Sequence, residues 1–270
     1  MFMPTPDSSF ARQYGPWALI AGGSEGTGAA CARQLAARGL NLLLVARNPA
    51  PLEQLAQQIR TASAVEVRTR SVDLTAEDAV ATLQQATDDL EIGLLVYNAG
   101  STTQFSDVLD APLAYAQRIT QLNVGAPLAL THHFAGPMRK RGRGGVILVG
   151  SMAGYGGSAG NAAYSAAKAY SRILAEGLWY ELKPHGVHVL GLILSATNTP
   201  AMARIGMIMD NPGLPADDPD VVVQEGLDHL ADGPVWVARG REEMAKYMLN
   251  LPRAEAVAMM SSAGKMLFPE

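Results

Sequence analysis

The stretch 158-SAGNAAYSAAKAYSR-172 sets a phenol, Tyr164, and an ammonium, Lys168, four residues apart among alanines, serines and glycines. Positions four apart on a helix share a face, so the Lys168 charge is expected beside the Tyr164 oxygen. A free phenol titrates near 10, and an opposite charge nearby lowers a pKa by about 1–3 units. The pair therefore suits a general acid or base working near neutral pH. Alone, a tyrosine and a lysine at this spacing also describe an ordinary amphipathic helix. Ser151 stands thirteen residues before Tyr164, directly after the apolar run 145-GVILVG-150, where its hydroxyl can polarise a substrate oxygen. Asn123 lies in 121-QLNVGAP-127, inside a long helical pattern that its Gly and Pro neighbours are expected to break locally.

A second group of residues suits phosphate. In 17-WALIAGGSEGTGAACARQLAARG-39 a strand runs into Gly22, Gly26 and Gly28, and a helix follows. Such a turn lets backbone N–H groups and a helix N-terminus approach a pyrophosphate. The spacing is G-x-x-x-G-x-G, not the commoner G-x-G-x-x-G, and no lysine follows as in a P-loop. After the second strand, 43-LLVARN-48 has Arg47 where an acidic side chain would hold a ribose diol. A guanidinium there suits the 2′-phosphate of NADP. Ser24 in the turn can donate a further hydrogen bond to that phosphate, whereas Glu25 argues against it by charge. Asp73 and Leu74 of 72-VDL-74, and Asn98 of 97-YNAG-100, follow two further strands at positions suited to the adenosine side. Asp73 can accept from the adenine amino group, or cap a helix starting near Thr75.

The elements that must place these groups alternate along the chain. Strands are expected at 17–21, 41–46, 65–72, 92–97, 145–150, 187–194 and 234–238, and helices near 26–38, 51–61, 75–88, 112–140 and 162–183. Several strands are apolar without alternation, as when both faces are covered. This predicts one α/β domain over 1–270, a doubly wound parallel sheet of Rossmann type with helices on both faces. Residues 201–233 break the alternation and are expected to form a substrate-covering insertion.

Composition narrows the function. The 270 residues are 48% hydrophobic with net charge −4, which disfavours an electrostatic nucleic-acid binder. The basic run 139-RKRGRGG-145 reads as a solvated loop. One cysteine, Cys31, excludes an intrachain disulfide and a multi-cysteine zinc site, and the adjacent His132 and His133 face apart on a helix; no metal site is expected. The opening MFMPTPDSSF carries no readable signal segment, and no stretch approaches the ~20 apolar residues needed to span a bilayer. A cytoplasmic protein is expected.

In order, A21-G-x-x-x-G-x-G28, Y97-N-A-G100, Asn123, Ser151, Tyr164-S-A-A-Lys168 and Thr199 resemble the short-chain dehydrogenase/reductase family over most of residues 15–200. The resemblance implies an NADP(H)-dependent enzyme interconverting a ketone and a secondary alcohol. Tyr164 would then pass its proton to the alkoxide, Ser151 would orient the carbonyl, and Lys168 would also contact the nicotinamide ribose. Asn123 would hold a water behind Lys168, and Thr199 would meet the nicotinamide amide. A homodimer or homotetramer built through 112–140 and 162–183 is implied as well. Three departures stand out: Ala21 replaces a threonine, Tyr97 replaces an asparagine, and Leu194-Ser195 occupies the usual Pro-Gly, so the Thr199 loop is expected to take its own path.

The methionines of 202-MARIGMIM-209 suggest an adaptable apolar wall for a bulky ketone such as a steroid, aryl ketone or long acyl chain; those of 259-MMSSAGKMLF-268 suit core or an oligomer contact. The stretches FARQYGPWALI and GPVWVA also look like reductases acting on lipid-like ketones. A non-catalytic NADP-binding regulator is the competing reading, though it needs only the glycine turn. A sugar-nucleotide epimerase would need a larger carboxyl-terminal region.

Overall fold

The computed structural model describes residues 8–100 and 104–268; the opening stretch read for a signal segment lies, over residues 1–7, outside them. Its strands are β1 (Trp17–Ala21), β2 (Asn41–Ala46), β3 (Val67–Ser71), β4 (Ile92–Tyr97), β5 (Gly144–Ser151), β6 (Val187–Leu194) and β7 (Val235–Val237). The helices of the first half are α1 (Ser8–Tyr14), α2 (Gly26–Ala37), α3 (Pro49–Ala62), α4 (Ala79–Gln85), α5 (Leu113–Thr120) and α6 (Ala126–Arg141). Those of the second are α7 (Ala162–Leu182), α8 (Pro200–Arg204), α9 (Pro219–Asp228), α10 (Glu242–Asn250) and α11 (Arg253–Leu267).

All seven strands are parallel, in the order β3-β2-β1-β4-β5-β6-β7. Successive side chains point to opposite faces of a strand, and here both sets are apolar. Ala18, Ile20, Leu42 and Leu44 pack with α2, α3 and α9 on one face, while Leu19, Ala21, Leu43 and Val45 pack with α4, α6 and α7 on the other. Strand order reverses between β1 and β4, which opens a crevice at their carboxyl ends. The crevice floor is tied by backbone: Gly22 N–H donates to Val45 O at 2.8 Å, and Asn98 N–H to Ala21 O at 2.9 Å.

Several boundaries differ from expectation for local reasons. The strand expected over 65–72 starts at Val67, because the Glu66 N–H is taken by Asn41 Oδ1 at 2.9 Å. The helix expected from residue 75 begins at Ala79; Asp73 Oδ1 accepts the Thr75 N–H at 3.0 Å and makes a turn there, so Asp73 caps no helix. The expected helix 112–140 is two helices joined by a π-helical turn, Gln121–Gly125. The Ala126 N–H reaches back to Gln121, and Pro127 has no N–H to give. The carbonyls so released find other donors. Asn123 Nδ2 donates to Ile119 O at 2.9 Å, the Tyr97 hydroxyl to Leu122 O at 2.6 Å, and Ser171 Oγ to Asn123 O at 3.4 Å. Tyr97 thus joins β4 to the π turn rather than to a neighbouring strand.

The stretch 201–233 is not one insertion. Its first part, through α8 to Pro215, lines the crevice, but α9 packs on α2 and puts Val222, Val223 and Leu227 into the core. Cover comes as well from α10 and α11, which the strand–helix alternation did not announce. Leu94, in the middle strand β4, is fully buried, whereas Leu109 is 95% exposed. Leu94→Ala is expected to cost about 2–5 kcal/mol of unfolding free energy in urea denaturation, and Leu109→Ala less than about 0.5 kcal/mol.

Candidate active site

The glycine turn is held by packing in place of the threonine that Ala21 lacks. A Cβ on Gly28 would lie 1.8 Å from the Gly22 carbonyl oxygen, so only glycine lets α2 start so close to the turn. Asn98 Nδ2 donates to that same carbonyl at 2.9 Å, binding the ends of β1 and β4 together. The turn opens into a cavity of about 1130 Å³. Gly22, Ser24 and Gly26 line it, with Arg47, Asp73, Leu74, Asn98 and Thr199 from the later expectations. Gly28 and Asn123 do not line it; each stands one layer behind.

Among the described residues lining the cavity, Arg47 is exposed and its guanidinium has no partner. Other arginines on the wall are engaged. Arg118 donates to Asp73 Oδ2 at 2.8 Å, Arg241 to Asp217 at 2.6 and 3.0 Å, and Arg204 makes a two-point pair with Glu25. Burial raises the Asp73 carboxyl, but Arg118 and Thr75 outweigh it and hold the group at about 2. Asp73 is therefore a fixed anion whose oxygens are partly spent, which limits the adenine role expected of it. Glu25 is neutralised by Arg204, removing the charge objection to a phosphate in the turn.

At the opposite side of the cavity α7 brings Tyr164 and Lys168 to the end of β5, where Ser151 caps a 3₁₀ turn, Met152–Tyr155, by accepting the Ala153 N–H at 3.2 Å. Lys168 is 5% exposed, donates to Val149 O at 2.9 Å, and lies 5.6 Å from the Tyr164 ring centre. Burial pushes Lys168 down to about 8. Tyr164 does not show the lowering expected from the lysine. Burial pushes the phenol up to about 12, a hydrogen bond with Ser151 offsetting only part. The two groups share one desolvated pocket, and desolvation disfavours the charged form of each. Asn123 Oδ1 is buried with no partner among the described residues, and both it and Lys168 Nζ close on Gly100, where a Cβ would lie 2.2 and 3.2 Å from them.

Thr199 caps α8, accepting the Met202 N–H at 3.3 Å, and its methyl group would be 2.8 Å from a Cβ on Gly26. The loop bearing it has no Pro-Gly to shape it. Instead Asn198 N–H donates to Asp217 O at 2.9 Å, Asp217 N–H donates to Ala196 O at 2.8 Å, and the Arg241 pair anchors the Asp217 side chain. Sequence reasoning missed Arg204, Arg241 and the α10–α11 wall, although the methionine density of 259–268 pointed there. Away from the cavity, Cys31 is buried with its thiol pushed up to about 12 by burial, and His133 pairs with Gln84 at 3.0 Å. No described helix is long and apolar enough to cross a membrane. Arg241→Gln, which leaves the buried Asp217 short of its main partner, is expected to cost about 1–3 kcal/mol in urea denaturation. Arg204→Gln, at an exposed pair, should cost less than about 1 kcal/mol.

Residues 16–208 match the family described as short chain dehydrogenase. A 7beta-hydroxysteroid dehydrogenase of Clostridium sardiniense is 32% identical over 240 residues, covering 87% of this chain and 91% of that one. A short-chain dehydrogenase from Sphingobium yanoikuyae, solved with NADPH, superposes with TM-score 0.76 at 29% identity over 88% of this chain and 97% of its own. The bulky-bulky ketone specific alcohol dehydrogenase of Comamonas testosteroni does so with TM-score 0.73 at 28% identity, covering 89% and 96%. With the parallel sheet, the glycine turn and the Ser151, Tyr164 and Lys168 cluster already placed, the chain belongs to the short chain dehydrogenase family.

Proposed function

We propose that this protein is an NADP(H)-dependent oxidoreductase that interconverts a bulky apolar ketone of steroid type and its secondary alcohol. One observation carries the reading: a single cavity has a guanidinium, Arg47, unpaired among the described residues, beside its glycine turn, a buried phenol, Tyr164, at its other wall, and an apolar remainder rich in methionine. The relatives' steroid and bulky-ketone substrates and the NADPH of one solved neighbour support it.

The residues fit the coenzyme. The free N–H groups at the start of α2 suit a pyrophosphate, Arg47 and Ser24 suit a 2′-phosphate, and Thr199 stands across the turn for the carboxamide. When bound, NADPH supplies the hydride that the substrate carbon receives. Tyr164, kept protonated by its burial, donates its proton to the developing alkoxide, while Ser151 donates a hydrogen bond to the same oxygen and fixes its position. Lys168 holds a positive charge beside the phenol and would contact the ribose of bound coenzyme. Asn123 Oδ1 offers the acceptor a water behind Lys168 needs, so the proton lost by Tyr164 can be replaced. The exposed apolar side chains of α7, Ile173 and Tyr180, support a homodimer or homotetramer, and one buried free thiol suits the cytoplasm.

Tyr164→Phe is expected to leave NADPH affinity within about twofold and to cut ketone reduction by about 10²–10⁴-fold; absorbance at the nicotinamide band reads both, and retained turnover contradicts the assignment. Arg47→Gln removes a charge-assisted contact worth about 1.5–3 kcal/mol. It should raise KM for NADPH about tenfold or more and leave KM for NADH unchanged. Lys168 lies below its ordinary 10.5, at about 8, so its charge is complete below that value and lost above it. The kcat/KM for NADPH in the reduction is therefore expected to be level up to about pH 7 and to fall as pH rises through about 8.

A further inference from the structure

Seven of the chain's twelve methionines line the one cavity that holds Tyr164. Met152 follows β5, Met202 and Met207 belong to the α8 segment, and the others come from α10 and α11. Methionine is common in cores, and Met138, fully buried on α6, is such a case away from the cavity. The cavity methionines divide: Met207 and Met248 are buried, Met248 with Tyr155 and Ile193 in a small core whose surface the cavity reaches, and others stand open to it. Met244 is 50% and Met259 38% exposed, an arrangement that burial alone does not favour.

The two carboxyl-terminal helices are tied down by side chains other than the methionines. Arg253 donates to Tyr155 O at 3.1 Å and to Met248 O at 3.0 Å, and Ser261 Oγ accepts the Ala159 N–H at 3.0 Å. At the far end, Phe268 stacks on Phe105 with ring centres 5.2 Å apart. Between these ties the thioethers rest on bare main chain: a Cβ on Gly156 would lie 3.0 Å from Met260 Cγ and 3.5 Å from Met248 Cε. A rigid frame thus carries side chains with three rotatable bonds and no β-branch, which refit at little cost.

We infer that the substrate end of the cavity is a deformable methionine mould, in which Met248, Met259 and Met260 let one catalytic centre accept bulky ketones of unlike shape. The inference rests on the ketone reductase reading above and names which residues set its breadth. Adaptation occurs in side chains, with α10 and α11 held in place.

The test uses full-length enzyme labelled at the methionine ε-methyl carbons, saturated with NADP⁺ and titrated with a rigid tetracyclic ketone, an aryl ketone and a long-chain aliphatic ketone. Single Met→Leu variants assign the signals. The ε-methyl signals of Met248, Met259 and Met260 should move in a different pattern for each ketone, and that of Met138 should stay. In the NADPH-driven reaction, the stiffened Met259→Ile/Met260→Ile enzyme should raise KM about tenfold for at least one ketone and leave another unchanged, with NADPH affinity intact. Turnover of these ketones with silent methionine signals, or with KM rising equally for all three, overturns the mould and leaves the reductase standing. Methionine shifts without turnover of any ketone overturn the reductase reading instead. Silence in both overturns both.

Discussion

The site depends on one buried cation. Lys168 sits almost out of water with a backbone carbonyl, Val149 O, as its partner and, among the described residues, no carboxylate paired with it. Such burial is tolerable only because the end of β5 delivers that carbonyl and α7 lies close enough to use it. The closeness is visible at Gly154, where a Cβ would be 2.7 Å from the Lys168 carbonyl carbon. The small residues around Tyr164 and Lys168 serve the same approach. Desolvation then acts on both members of the pair, keeping the phenol protonated and loosening the ammonium's hold on its own proton. A protonated phenol and a nearby cation of lowered basicity follow from one physical cause.

Along the rest of the cavity wall, charge is largely cancelled in pairs. Arg118 is held by Asp73, Arg204 by Glu25 and Arg241 by Asp217. Arg47, at the end of β2, is left without a partner among the described residues. The pairs also brace the walls. Glu25–Arg204 spans from the glycine turn to α8, and Asp217–Arg241 gives the Thr199 loop a frame that its Leu194-Ser195 start does not provide.

The sheet was legible because strands buried on both faces read as unbroken apolar runs, as in Leu42–Val45 and Leu94–Tyr97. The glycine turn, Ser151, Tyr164 and Lys168 were legible from spacing, since each sits at a strand end or on one helical face. The π turn was half legible: Asn123 and Pro127 marked a break, but the donors that replace the lost ladder, Tyr97 and Ser171, come from other elements. The lowering expected for Tyr164 did not hold in the free enzyme, because spacing reveals proximity and says nothing of desolvation. Arg204 and Arg241 were not legible, since their partners are set by tertiary packing; the helices after β7 had no strand pattern to announce them.

The central claim is that burial keeps Tyr164 protonated in the free enzyme; the positive charge of an oxidised coenzyme held in the same cavity would favour the phenolate. The difference in phenolate absorbance between wild type and Tyr164→Phe, titrated with and without saturating NADP⁺, measures this directly. The account predicts a phenol that titrates near 12 in the free enzyme and at least one pH unit lower with NADP⁺ bound. A phenol already ionising near neutral pH without coenzyme, or one unmoved by NADP⁺, contradicts it.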